Sequence, residues 1–261
     1  MIFQRVTVFF TLFVFFVFCD TGFVDNLPKC HLNDDECLRD LYETVIRDIG
    51  KHGIPDLNIP PVDPIRLTNV TVSVLNIMNI TMIEGVAKGI KDCLFEKFSI
   101  NITSEIGHQE NTCDLTIKGH YKIDTTSSLA ENILGGMSVH GDGNGKVKID
   151  KVHLKFDFPF YAQRRDDGEI YIKCIYDLIK YDYEFGGKVT FFADNLYVGE
   201  QEISASIIPM LNENWRFVMS GFGQPFVDKA MEFYFRFAGY FFDNIPARHY
   251  IIDDLSPYAK P

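Results

Sequence analysis

"NVTVSVLNIMNITM", residues Asn69 to Met82, decides how the rest of the chain is read. Val70, Val72, Val74, Met78, Ile80 and Met82 share one parity, while Asn69, Thr71, Ser73, Asn79 and Thr81 share the other. Successive side chains of a strand point to opposite faces, so a period of two describes a long strand with one dry and one wet face. Leu75 and Ile77 interrupt the polar parity, which places a bend or bulge near Asn76. The stretch also carries two N-glycosylation sequons, Asn69-Val70-Thr71 and Asn79-Ile80-Thr81. A third, Asn101-Ile102-Thr103, lies where Phe98, Ile100 and Ile102 alternate with Ser99, Asn101 and Thr103. All three asparagines fall on the polar phase, and a glycan cannot enter a core, so the sequons support the face assignment independently.

Downstream the same period persists. Leu115, Ile117, Tyr121 and Ile123 face one way, with Thr116, Lys118, His120 and Lys122 outward. Val147 and Ile149, then Val152, Leu154, Phe156, Phe158 and Phe160, form another long strand whose parity flips after Ile149, so a bulge is expected near Asp150. "DDG" at Asp166 to Gly168 makes a hairpin turn into Ile170, Ile172, Cys174 and Tyr176, and Val189 to Val198 adds at least one further strand. "GDGNG" at Gly141 to Gly145 looks like a phosphate-cradling loop, but a strand follows it instead of a helix N-terminus, and it reads as a turn.

Upstream, "GIPDLNIPPVDPIRL" holds four prolines and reads as an extended connector. Before it, Leu38, Leu41, Tyr42, Val45, Ile46 and Ile49 recur at helical spacing with Arg39, Asp40, Glu43, Arg47 and Asp48 opposite. Asp34 or Asp35 can cap this helix, and Gly50, Gly53 and Pro55 end it. After Pro209 helical spacing returns: Leu211, Trp215, Val218, Phe222, Phe226, Ala230, Phe233, Phe237 and Tyr240 mark a second, longer helix with a bend at "GFGQP". Its end, "EFYFRFAGYFF" from Glu232 to Phe242, carries seven aromatic rings in eleven positions and is apolar nearly all round, as expected of a helix buried on most sides. One early helix, several long antiparallel strands and a final apolar helix predict an α+β chain whose sheet wraps around that helix, in one domain.

The start of the chain predicts export. Arg5 precedes an apolar run from Val6 to Phe18 and then Cys19, Asp20, Thr21 and Gly22, the pattern of a secretory signal peptide over residues 1–22. That leaves residues 23–261 as the mature, secreted domain. A formal net charge of −11 argues against nucleic acid and against anionic lipid surfaces as partners. Once Cys19 leaves with the leader, five cysteines remain in an oxidising compartment, so at least one is unpaired within the chain. Cys30 and Cys37 close a small loop and are the expected disulfide; among Cys93, Cys113 and Cys174 any of three pairs remains open.

Catalytic chemistry is not written into the sequence. There is no HExxH, GxSxG or Walker loop, and the seven histidines show no metal-ligand spacing. His120 and His153 fall on outward strand phases and read as surface residues. Asp34, Asp35 and Glu36 lack an EF-hand spacing and read as helix-start charges. No cofactor, no metal and no catalysis are expected.

The chain resembles the insect takeout and juvenile-hormone-binding protein family over nearly all of its mature length. The resemblance rests on the early cysteines Cys30 and Cys37, on "GIPDLNIPPVDPIRL" from Gly53, on "TIKGHYKI" from Thr116, on "GDGNGKVKI" from Gly141, and on "LNENW" from Leu211 before a C-terminal helix ending in "NIP". It implies a long helix wrapped by a highly curved antiparallel sheet, the super-roll of tubular lipid-binding domains, with an internal tunnel for a hydrophobic ligand. The function implied is a secreted carrier of a small apolar molecule: a juvenile-hormone-like terpenoid, a fatty acid derivative or another lipid. Phe222, Phe226, Phe233 and Phe237 are the expected tunnel lining from the helix, with Phe156 and Phe158 from the sheet. Leu38, Tyr42 and Val45 would cover a mouth, and a buried tyrosine hydroxyl would orient the ligand's polar end. The alternatives are a lipid-transfer or microbial-lipid-recognising protein that docks on membranes, for which Arg164 and Arg165 at a hairpin tip speak, and a solid interaction module without a ligand. The three cysteines beyond the early pair and the three sequons, Asn69, Asn79 and Asn101, are departures from the family pattern.

Overall fold

Asp34 starts the first helix. Its side chain accepts a hydrogen bond from the Cys37 N–H at 3.0 Å, satisfying one of the donors that a helix N-terminus leaves free. The helix, α1 (Asp35–His52), carries Asp35 and Glu36 in its first turn and Lys51 and His52 in its last, both matched to the helix dipole. The expected Cys30–Cys37 disulfide is present and pins the first turn to the segment before it. The apolar stripe from Leu38 to Ile49 is buried as its spacing predicts.

Gly53 stops the helix with φ 64° and ψ −164°, a combination open in practice to glycine alone. A Cβ there would sit 2.2 Å from the Ile59 carbonyl oxygen. Gly53→Ala should therefore cost about 1–3 kcal/mol from backbone strain alone, with the clash in addition. A urea midpoint no lower than that of the parent protein would refute this.

The computed structural model describes residues 22–57, 59–125 and 138–261. The leader assigned to residues 1–22 lies, apart from residue 22, outside them. Ten antiparallel strands follow α1: β1 (Ile65–Val74), β2 (Met78–Lys88), β3 (Leu94–Asn101), β4 (Ile106–Thr125), β5 (Val139–Arg164), β6 (Ile170–Cys174), β7 (Lys180–Phe185), β8 (Val189–Ala193), β9 (Leu196–Val198) and β10 (Gln201–Glu202). They form one sheet path, β1-β2-β4-β5-β9-β10, with β3 added to β4 and β6, β7 and β8 added to β5. The path runs from one edge to another without closing.

The stretch from Asn69 to Met82 is a hairpin, not one bent strand. Leu75 and Asn76 have φ 50° and 55°, the paired left-handed residues that turn a tight hairpin, and Val74 faces Met78 across it. The parity survives because Val72 pairs with Ile80 and Val70 with Met82, so both arms keep their apolar side chains on one face. The bulge near Asp150 is where it was expected: the β4–β5 register slips between Cys113 and Leu115, and Lys151 takes φ 52°. Gly141 to Gly145, expected as a turn, lie instead within β5. A Cβ on Gly145 would meet the Tyr121 ring at 3.0 Å, so this position is kept bare for that ring.

The second helical region also differs. Helix starts at Ser204, with Pro209 inside it, and breaks twice, giving α2 (Ser204–Glu213), α3 (Trp215–Phe222) and α4 (Gln224–Asn244). Gly223 marks the second break, where a Cβ would lie 2.4 Å from the Met219 carbonyl, and Pro225 opens α4 where its missing N–H costs nothing. The sheet curves around α4, and α1 packs on β3 along the same inner face, where Tyr42 meets Tyr234. The fold is thus α+β: a large, curved, unclosed antiparallel sheet with a C-terminal helix in its hollow. A second disulfide joins Cys93 on the lead into β3 to Cys113 on β4, which leaves Cys174 free and buried. Among the described residues no helix is long and apolar enough to cross a membrane.

Candidate functional site

The interior between α1, α4 and the sheet is lined by rings. Phe156 and Phe158 point inward from β5, Phe95 and Phe98 from β3, and Tyr234, Phe241 and Phe242 from α4, all buried. Their contacts are close: Tyr42 of α1 stacks on Phe98 at 4.4 Å between centroids, Phe98 meets Phe158 at 5.7 Å, and Phe156 stacks on Tyr234 at 5.4 Å.

Among the described residues, two small cavities lie between these rings. One, bordered by Gln109, Phe156, Cys174, Tyr176, Tyr234 and Phe235 among others, offers about 30 Å³ to the centre of a water molecule. The other, bordered by Leu38, Leu41, Val45, Ile172, Phe241 and Tyr250 among others, offers about 20 Å³. Tyr42, Phe98, Phe158 and Phe242 line both, so these four rings form the wall between them. Each cavity would hold a water or two and no lipid chain. Here the open tunnel that the family resemblance implies is divided, because Tyr42 stacks on Phe98 and Phe98 leans at a tilt on Phe158 between the two cavities.

Polar groups are few and placed at the cavities. Gln109 Nε2 donates to the Tyr234 hydroxyl at 2.6 Å and to Asn111 Oδ1 at 2.9 Å, and Asn111 Nδ2 donates to Cys113 Sγ at 3.1 Å. The hydroxyls of Tyr234 and Tyr42 lie 3.3 Å apart. One bond between two hydroxyls uses one of their two hydrogens, so a donor is left over beside the first cavity, which both rings line. Tyr176, on the wall of the first cavity, and Tyr250, on the wall of the second, have buried hydroxyls with no close, well-aligned hydrogen bond among the described residues: Tyr176 rests against the Cys174 thiol and Tyr250 against the Ile172 backbone. Burial pushes all four phenols above their ordinary range, so each stays protonated and able to donate at neutral pH. Burial likewise pushes the Cys174 thiol up to about 12, which makes it a poor nucleophile. No Lys, Arg, His, Asp or Glu lines either cavity.

Of the residues singled out from sequence, Leu38, Tyr42, Val45, Phe156 and Phe158 come together at these walls. Phe222, Phe226, Phe233 and Phe237 do not. Phe226 is 37% exposed, Phe222 and Phe233 are half-buried, and Phe233 carries the Arg236 guanidinium over its ring. Phe237 is buried in the core without reaching a cavity. The helix instead presents Tyr234, Phe235, Ala238, Phe241 and Phe242. Gln109 and Asn111 were missed. Their signal is parity: with Cys113 they occupy the inward phase of β4, where a polar residue needs a reason.

A family model described as haemolymph juvenile hormone binding protein matches residues 10–251. Among solved structures, the crystal structure of Takeout 1 from Epiphyas postvittana aligns with a TM-score of 0.73 at 20% identity, covering 86% of this chain and 99% of that one. At that identity the likeness carries the fold. No curated protein matches the chain by sequence.

Proposed function

The chain belongs to the haemolymph juvenile hormone binding protein family, and from that premise we propose that it is a secreted carrier of a small, neutral, hydrophobic molecule. Residues 1–22 are its leader and 23–261 its single ligand-binding domain, with glycans at Asn69, Asn79 and Asn101. The observation that carries the reading is a group of protonated tyrosine hydroxyls with more hydrogens than well-placed acceptors among the described residues, on mostly apolar cavity walls. Buried donors left unpaired cost free energy, and a ligand oxygen would recover it.

The same walls narrow the ligand. An ionised fatty acid would bury its carboxylate with no cation beside it, at a cost of several kcal/mol. A terpenoid ester, ether, epoxide or alcohol offers the acceptor without the charge. Burying about fifteen methylene equivalents at roughly 0.8 kcal/mol each gives on the order of 12 kcal/mol, against an association cost of about 4–15 kcal/mol. Displacing the rings of Tyr42, Phe98 and Phe158 adds to that cost, so the ligand must be long enough to occupy both cavities. Phe156, Phe158, Leu38, Tyr42 and Val45 are its proposed contacts. Of the two arginines that speak for the membrane-docking alternative, Arg165 donates to the Asp243 carbonyl at 2.7 Å and stacks on Tyr171, while Arg164 stays exposed on the hairpin.

Native purification followed by solvent extraction and mass spectrometry should recover one neutral lipid per chain. A protein that yields none and takes up no apolar fluorophore is a solid module, and the carrier reading falls.

A further inference from the structure

We propose that Glu96, Glu110 and His153 form a binding site for a divalent transition-metal ion of the zinc class on the outer face of the sheet, independent of the ligand cavity. The three residues stand on three neighbouring strands, and one donor atom from each lies within 4.8 Å of the other two. Glu96 is there because of a bulge: Phe95 pairs with Asn111 and Lys97 with Glu110, so Glu96 is the extra residue at the slip in register. A bulge re-aims a side chain, and this one turns the Glu96 carboxylate toward β5.

The imidazole is already oriented for an ion at Nε2. Thr112, which faces His153 across the β4–β5 pairing, donates to Glu96 Oε1 at 2.8 Å, so its oxygen accepts from His153 Nδ1–H at 2.9 Å and leaves Nε2 bare as the ligand. Glu110 Oε2 lies 3.9 Å from Nε2, against about 3.4 Å between two ligand atoms on a tetrahedral zinc. Glu96 Oε2, 3.2 Å from Nδ1, completes the set through a rotamer change.

Charge points the same way. Lys97 and Lys155 are the cross-strand neighbours of Glu110, yet the ion pairs of Glu96 and Glu110 among the described residues are with His153 only. Two carboxylates converging on one imidazole repel each other, and a divalent cation removes that cost. An imidazole with two carboxylates suits zinc, whereas calcium and magnesium prefer all-oxygen shells. The ion would tie the bulged β3 to β4 and β5 beside the Cys93–Cys113 disulfide.

The test is calorimetric titration of the untagged, metal-stripped glycoprotein with zinc chloride, and separately with calcium chloride. Zinc should bind with one equivalent and raise Tm, and calcium should not. His153→Gln and Glu96→Gln should each abolish the zinc heat, and Thr112→Val should weaken it by about 10–100-fold. Circular dichroism checks that each variant folds; should one fail, the other decides. Absence of zinc binding to the parent protein, or binding of unchanged affinity in the folded ligand variants, would overturn the proposal.

Discussion

Phe98→Ala is expected to lower stability by about 3–5 kcal/mol, the usual cost of emptying a buried phenylalanine site. In the same protein it should raise the affinity for a neutral apolar fluorophore. Both effects have one cause. Phe98 borders both interior cavities, stacks on Tyr42 and leans on Phe158. Deleting its ring joins two water-sized voids into a single space that no longer has to be opened at the ligand's expense. Urea denaturation measures the first effect and fluorescence titration the second. Loss of stability with no gain in uptake would mean that these rings form ordinary core, and the two-chamber view of the interior would have to be abandoned.

Alkaline solution should unfold the protein through its tyrosines. The folded-state pKa values of Tyr42, Tyr234 and Tyr250 are raised, chiefly by burial. Groups raised in the native state contribute stability that is present in full below the unfolded value, near 10, and is lost as pH climbs above it. Beyond that point each phenol still protonated in the folded state withdraws on the order of 1 kcal/mol per pH unit. Denaturation midpoints should hold level from neutrality to about pH 9 and fall steeply by about pH 11, with tyrosinate absorbance rising in the same step. A midpoint that is flat across this interval would show that these hydroxyls are not sequestered.

The strands were legible because their inward and outward faces differ. Val70 to Met82 kept its parity through the turn, and the slip at Asp150 was visible as a change of phase. What misled the reading was turn chemistry at unusual residues: Leu75 is a poor candidate for a left-handed conformation, so the hairpin looked like a kinked strand. The glycines at 141, 143 and 145 suggest a turn for the converse reason, since the sequence does not show that the Tyr121 ring crowds 141 and 145 and that Asp194 crowds 143. For α4 the signal was present and overlooked. Asp228, Glu232, Arg236 and Asp243 recur at spacings of four and seven residues and mark the outer face, which sets Tyr234, Ala238 and Phe241 opposite them and leaves Phe226, Phe233 and Phe237 to one side. The first helix, with one greasy side and one charged side, is plainer, and Leu38, Tyr42 and Val45 fall where its stripe puts them.

The longest strand carries one more implication. β5 pairs with β4, β6, β7, β8 and β9, so half the wall is stitched to one ribbon of backbone. Such a wall cannot breathe piecemeal, because loosening one seam strains the rest. Loading and unloading of cargo would then fall to the helices, which pack on the sheet through their side chains, with α1 swinging about the cystine at its foot while the curved sheet keeps its shape.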